Sequence, residues 1–163
     1  MSKEKTAFIP KQYFAVVAVL LAIMMSVLDG TIMNIALPTL AHDFDVTPAN
    51  AIWIINAYQL VITMTLLSFA SLGDIYGYRR IFLTGISIFV GASAACAFSD
   101  SFWMLTVSRI IQGFGAACVM SVNTALIRLI YPPQILGRGM GVNAMVVAVS
   151  AAAGPSIAGS ILT

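Results

Sequence analysis

Apolar and polar positions divide the chain into five long apolar runs separated by short polar breaks. The first covers residues 13–37 and ends at Pro38 and the stretch Ala41-His42-Asp43-Phe44-Asp45. The second covers 49–72 and is closed by Gly73-Asp74; the third covers 81–98 and is closed by Ser99-Asp100-Ser101. The fourth covers 102–130, before Pro132-Pro133, and the fifth covers 139–163. A helix rising about 1.5 Å per residue needs about 20 apolar residues to cross a hydrocarbon core about 30 Å thick. The pattern therefore predicts an all-α membrane protein with five transmembrane helices behind a polar tail, residues 1–12. The first run is too long for a secretory signal and lacks its tripartite form and cleavage site.

Composition agrees with this pattern. The chain is 60% hydrophobic and 9% charged, against about 25% charged in soluble domains. So few charges cannot cover a soluble globule, and the remaining apolar area is expected to face lipid. Cys96 and Cys118 lie in apolar runs without metal-ligand spacing and read as small packing residues. His42 reads as a solvated loop residue without a partner cluster. The nine methionines read as lipid-facing or packing residues.

Placement of the charges says more than their net value of +2. Lys3, Lys5 and Lys11 precede the first run, Arg79 and Arg80 lie between the second and third, and Arg128 and Arg138 bracket the fourth break. All of these fall on one side of a five-span bundle. The opposite breaks carry Asp43, Asp45 and Asp100 and no Lys or Arg. The excess of basic residues on cytoplasmic loops predicts a cytoplasmic N-terminus and places residue 163 on the outer side, in a multi-pass cell-membrane protein. The fifth run continues to the last residue, so the chain reads as interrupted. It could be a fragment, or a short protein that assembles with other chains.

Only Asp29 and Arg109 are charged and well inside an apolar run. A charge at a helix centre costs at least about 2.5 kcal/mol on insertion scales, and such residues face a cavity or a partner. Asp29 lies roughly 24 Å along an outward-running first helix, and Arg109 roughly 10 Å along an inward-running fourth helix. Both depths fall in the outer half of the membrane, within about one helical turn of each other, so the two can pair if their helices are neighbours. Burial and a nearby guanidinium pull the proton affinity of a carboxyl in opposite directions. A carboxylate poised between them suits a protonatable coupling site. A purely structural ion pair is the rival reading.

Four segments carry further information. Leu28-Asp29-Gly30-Thr31-Ile32-Met33-Asn34-Ile35-Ala36-Leu37-Pro38 places Asp29, Thr31 and Asn34 in an otherwise apolar helix, where Thr31 can bond back to its own backbone. In Ala70-Ser71-Leu72-Gly73-Asp74-Ile75-Tyr76-Gly77-Tyr78-Arg79-Arg80, Gly77 permits a positive-φ turn, and Asp74 and the arginines can make charge-assisted bonds that lock neighbouring helix ends. In Leu105-Thr106-Val107-Ser108-Arg109-Ile110-Ile111-Gln112-Gly113-Phe114-Gly115-Ala116-Ala117, Gly113 and Gly115 permit close approach of another helix. Ser150, Gly154 and Ala158 in Ser150-Ala151-Ala152-Ala153-Gly154-Pro155-Ser156-Ile157-Ala158-Gly159 form a small-residue ridge at i, i+4, i+8. It continues the sense of Gly137 and Gly141, while Pro155 can bend the helix.

In this order, the four segments resemble the signatures of the major facilitator superfamily, in particular its fourteen-span drug/proton antiporters. Ala70 replaces the usual leading Gly of the second segment, and Ser150 and Ala158 stand where Gly is usual in the last. The resemblance runs from about Leu28 to the end and covers the first five spans of a family with twelve or fourteen. It implies an incomplete N-terminal half of the major facilitator fold. It also implies Asp29 and Arg109 in proton or substrate coupling, and Asp74, Gly77, Arg79 and Arg80 as a conformational latch. Gly154, Pro155 and Gly159 would form the antiporter helix motif. Asn34, Gln59, Gln112 and Phe114 are candidate substrate-cavity residues. Tyr58 and Trp53 are further candidates, with an interfacial belt the favoured role for Trp53.

No phosphate-binding Gly-rich loop, Ser/His/Asp set or metal cluster is found, so no catalytic residue or metal site is assigned. The leading expectation is a transporter rather than an enzyme: proton-coupled efflux of amphipathic, cationic, drug-like compounds by alternating access. Its setting would be a bacterial inner membrane, with the proton as coupling ion, no other cofactor and no nucleic-acid partner. Completion of the pathway would need the remaining spans or another copy of the chain. The alternatives are a major facilitator transporter of another small solute, and a non-transporting membrane fragment or assembly subunit.

Overall fold

The computed structural model describes residues 10–162. Five long helices account for nearly all of them: α1 (Pro10–Asp43), α2 (Pro48–Tyr76), α3 (Tyr78–Ala97), α4 (Phe102–Ile130) and α5 (Leu136–Leu162), with a short 3₁₀ turn at Pro133–Ile135 before α5. No strand occurs among the described residues. All five helices are long and apolar enough to cross a membrane. The expected tail at 1–12 lies outside the described residues up to residue 9, and α1 is already helical from Pro10.

Three breaks fall elsewhere than the apolar pattern placed them. The first helix continues through Pro38 to Asp43. Pro38 removes only the backbone bond to the carbonyl four residues earlier, at Asn34, and the remaining ladder carries the helix on. His42 consequently sits in the last turn of α1, exposed, instead of in a loop. The second helix continues through Gly73-Asp74 to Tyr76, and its connection to α3 is the single residue Gly77, at φ +93°. Gly73 does not end the helix. It is buried where a side chain would collide with Tyr78 and Val122. The fifth helix starts at Leu136 and passes through Pro155.

Two helix starts are capped by side chains. The Thr47 hydroxyl accepts from the Asn50 amide (3.3 Å) with Pro48 in the first turn, and the Ser101 hydroxyl accepts from the Met104 amide (3.3 Å). These caps satisfy amides that a helix N-terminus leaves without an intrahelical acceptor.

The helix order alternates up and down. Arg79 and Arg80 therefore share one end of the bundle with Arg128 and Arg138, while Asp43, Asp45 and Asp100 lie at the other. The most buried helix is α4, with α2 and α3 packed along it and α1 crossing to meet α5. Gly113 and Gly115, two residues apart, point to faces about 200° apart on the helix. A methyl group on Gly113 would meet the backbone of Tyr58 in α2 at 3.0 Å, and one on Gly115 would collide with the backbone of Phe89 in α3. The two glycines thus seat a different helix on each side of α4.

The remaining surface is apolar. Phe14, Met64, Leu67, Val149 and Trp103 are among many large apolar side chains that face outward, as lipid contact requires. Met25, Met64, Met104 and Met145 belong to this surface.

Candidate functional site: an ion pair where four helices meet

The site begins with one fully enclosed cation. Arg109 is 1% exposed, in the first third of α4. Its Nη1 donates to Asp29 Oδ2 of α1 at 2.7 Å and to Gln112 Oε1, one turn further along α4, at 2.7 Å. Gln112 Nε2 donates to the other Asp29 oxygen, Oδ1, at 3.0 Å. The three side chains close a ring of hydrogen bonds in which both carboxylate oxygens are occupied. The Asp29–Arg109 pairing that the depths of the two residues allowed is therefore made. Gln112, expected in the cavity, is instead the third member of this ring, because positions i and i+3 of a helix share a face.

The other two neighbouring helices complete the surroundings. Tyr58 of α2 places its ring against the guanidinium, with Arg109 Cζ 4.2 Å from the ring centroid. Gly113 makes this possible, since it lets the α2 backbone at Tyr58 come up against α4 one turn from Arg109. From α3, the Cys96 thiol donates to Gln112 Oε1 at 3.7 Å. Cys96 is thus more than packing, whereas Cys118 is buried in the α3–α4 contact beside Gly85.

The pair is enclosed asymmetrically. The Arg109 side chain is 1% exposed, but that of Asp29 is 21% exposed. Beside Asp29 lies a cleft of about 250 Å³, lined by Ser26, Gly30, Thr31, Asn34, Tyr58, Gln59, Ile62 and Met120. Asn34 and Gln59, two of the candidate cavity residues, are both in its lining. Asn34 Nδ2 also donates to the Gly30 carbonyl at 2.7 Å, and Thr31 Oγ1 bonds back to Val27 and Leu28. Phe114 is not among the lining residues. It stands on the outer side of α4, edge-on to Phe69 of α2. Trp53 is also elsewhere, in a separate recess with Phe102 and Trp103 at the aspartate-rich end of the bundle. Met120, expected in packing or lipid contact, lines the cleft.

The small-residue ridge of α5 docks on α1. Ser150, Gly154 and Ala158 are buried, and a side chain on Gly154 would collide with Thr31, two residues beyond Asp29. The ridge does not extend to Gly137 and Gly141, which are exposed. The buried glycine of that turn is Gly139, which packs on the Tyr131 ring. Pro155 is exposed, and a methyl group on Gly159 would meet nothing within 4 Å.

At the arginine-rich end, Asp74 accepts from the Tyr78 hydroxyl. Among the described residues it makes no ion pair with Arg79 or Arg80, which are both exposed. A hydroxyl one helical turn away takes the carboxylate, because the single-residue turn at Gly77 starts α3 with Tyr78. A further cross-helix bond was not anticipated from sequence: Asn123 Nδ2 of α4 donates to Asn143 Oδ1 of α5 at 3.1 Å. The signal for it was an uncharged amide in each of two apolar runs, weaker than a charge.

Residues 19–163 match the family described as the Major Facilitator Superfamily. The chain belongs to the major facilitator superfamily. It is 57% identical over 155 residues to the uncharacterized transporter YebQ of Escherichia coli (strain K12), covering 95% of this chain and 34% of that protein. It is 35% identical to the riboflavin transporter RibZ of Clostridioides difficile (strain 630), covering 93% of this chain and 33% of the relative. It is 37% identical to the tetracenomycin C resistance and export protein of Streptomyces glaucescens, covering 89% and 27%. The chain thus spans about a third of the length of the curated relatives it matches. Superfamily membership and five apolar helices make it a multi-pass membrane protein of a transporter family.

Proposed function

We propose that this chain forms the proton-coupling part of a drug/proton antiporter of the fourteen-span kind, one that expels amphipathic organic cations by alternating access. The observation that carries the proposal is the unequal burial of the Asp29–Arg109 pair. A carboxylate bound to a sealed cation, yet itself part-exposed and adjacent in sequence to Gly30 of the cleft lining, can exchange a proton or meet a substrate cation. Protonation of Asp29 removes the counter-charge of Arg109, and ionisation restores it, so the two states differ in the electrostatics of a four-helix junction.

In this proposal Asp29 carries the proton and Arg109 tunes it, while Asn34 and Gln59 line the substrate side. Asp74, Gly77, Arg79 and Arg80 serve as a latch toward further spans, and Gly154, Pro155 and Gly159 serve as the antiporter helix motif, of which Gly154 packs on α1. The setting is a bacterial inner membrane with the N-terminus cytoplasmic and residue 163 outside, because the arginines gather at one end and the aspartates at the other. The pathway is completed by further spans or by another copy of the chain, and the proton is the only coupling ion. No catalytic residue is assigned.

A second reading keeps the same machinery and changes the cargo to a metabolite. The similarity to a protein described as a riboflavin transporter favours it. Liposomes holding the complete transporter under an imposed pH gradient separate the two. Gradient-driven accumulation of organic cations without riboflavin supports drug antiport, riboflavin movement alone supports the second reading, and transport indifferent to the gradient contradicts proton coupling.

A further inference from the structure

Tyr58 lies against the ion pair without a hydrogen bond to it. Its hydroxyl is buried and has no partner among the described residues, and the whole residue is 3% exposed. What it presents to Arg109 is the face of its ring, 4.2 Å from Cζ. The negative face of an aromatic ring attracts a cation, most strongly where water is excluded. Arg109 therefore has two sources of compensation: a carboxylate whose charge disappears on protonation, and a ring whose face remains.

The groups facing Asp29 come from several helices. Arg109 and Gln112 come from α4 and Tyr58 from α2, and Cys96 of α3 acts through Gln112. The only charged residue of α5, Arg138, lies in that helix's first turn. When Asp29 is neutral its counter-charge is gone, and the guanidinium is left with the ring face of Tyr58 and the uncharged acceptors of Gln112 and the carboxyl.

We infer that Tyr58 is a positioning residue: its ring face holds the Arg109 cation when Asp29 is protonated, and so sets the pH at which Asp29 exchanges its proton. The inference rests on the reading of Asp29 as the proton site. While Asp29 is ionised, the guanidinium is shared between carboxylate and ring; when Asp29 is neutral, the ring carries more of it. Weakening the face therefore disfavours the neutral state and moves the titration midpoint to lower pH. The hydroxyl takes no part.

The test is an infrared titration of the protein in lipid nanodiscs, following the carbonyl band of the protonated carboxyl that disappears in Asp29→Asn. Tyr58→Phe keeps the wild-type midpoint. Phenylalanine with a fluorinated ring at the same position keeps the shape but cancels the negative face. It moves the midpoint to lower pH by about one unit, a roughly tenfold change in proton affinity. Equal midpoints for the plain and fluorinated rings overturn the inference and leave the Asp29 reading standing. A shift in Tyr58→Phe as large as in the fluorinated variant also overturns it, because the hydroxyl would then be the active group. Absence of any Asp29-dependent band in the wild type overturns the Asp29 reading and this inference together.

Discussion

Gly154 of α5 faces Thr31 of α1 at a separation that leaves no room for a methyl group. Thr31 lies two residues beyond Asp29, about 200° round α1, so α5 packs on the side of α1 roughly opposite the carboxylate. Gly159, in the same motif, has open space at its Cα. Gly154→Ala is expected to destabilise the α1–α5 contact by about 1–3 kcal/mol through overpacking, and Gly159→Ala to be close to neutral. Reversible unfolding of the two variants in detergent micelles measures the difference.

The Asp29–Arg109 pair predicts strong coupling. Arg109→Met leaves the Asp29 carboxylate with Gln112 as its one remaining partner among the described residues, and breaking one partner of a buried pair costs about 3–5 kcal/mol. Asp29→Asn combined with Arg109→Met removes both charges and should cost less than the sum of the single changes. A double-mutant cycle in unfolding free energy checks this, and additive costs would show that the two charges do not interact.

Gly77 holds the single-residue turn between α2 and α3 at φ +93°. A side chain rarely adopts this conformation, and forcing one costs on the order of 1–3 kcal/mol. Gly77→Ala should lower stability by that amount, although a methyl group there meets nothing within 4 Å. The cost would come from the backbone alone, and Gly77→Asn, which tolerates positive φ better, should recover part of it.

The Asn123–Asn143 bond joins α4 to α5. Interhelical hydrogen bonds in membranes average about 0.6 kcal/mol. Asn143→Ala should therefore cost little more than that, while Asn123→Leu should be nearly neutral if the larger apolar side chain fits. Unfolding measurements on both variants, compared with the wild type, test the assignment.

The spans and the ion pair were legible because their signals are strong. Five runs of lipid-crossing length leave little freedom in element type, and two isolated charges at matching depth point to each other. The helix ends were less legible. Proline and glycine usually mark boundaries in water, yet Pro38 and Gly73 lie inside helices, where a long ladder or a close contact outweighs the local preference. The role of Gln112 was present in its three-residue spacing from Arg109, but a polar residue in a membrane helix reads equally as cavity lining. The stacking of Tyr58 could not be read from sequence, because it depends on which face of α4 meets α2. That is decided by Gly113 and the rotation of two helices.

The central claim is that Asp29 carries the coupled proton. The most direct measurement is substrate-induced proton release from the purified complete transporter, compared between the wild type and Asp29→Asn in weakly buffered detergent solution. Adding an amphipathic cation should release protons from the wild type and none from Asp29→Asn, with the variant still folded by circular dichroism. Undiminished release from Asp29→Asn would contradict the claim.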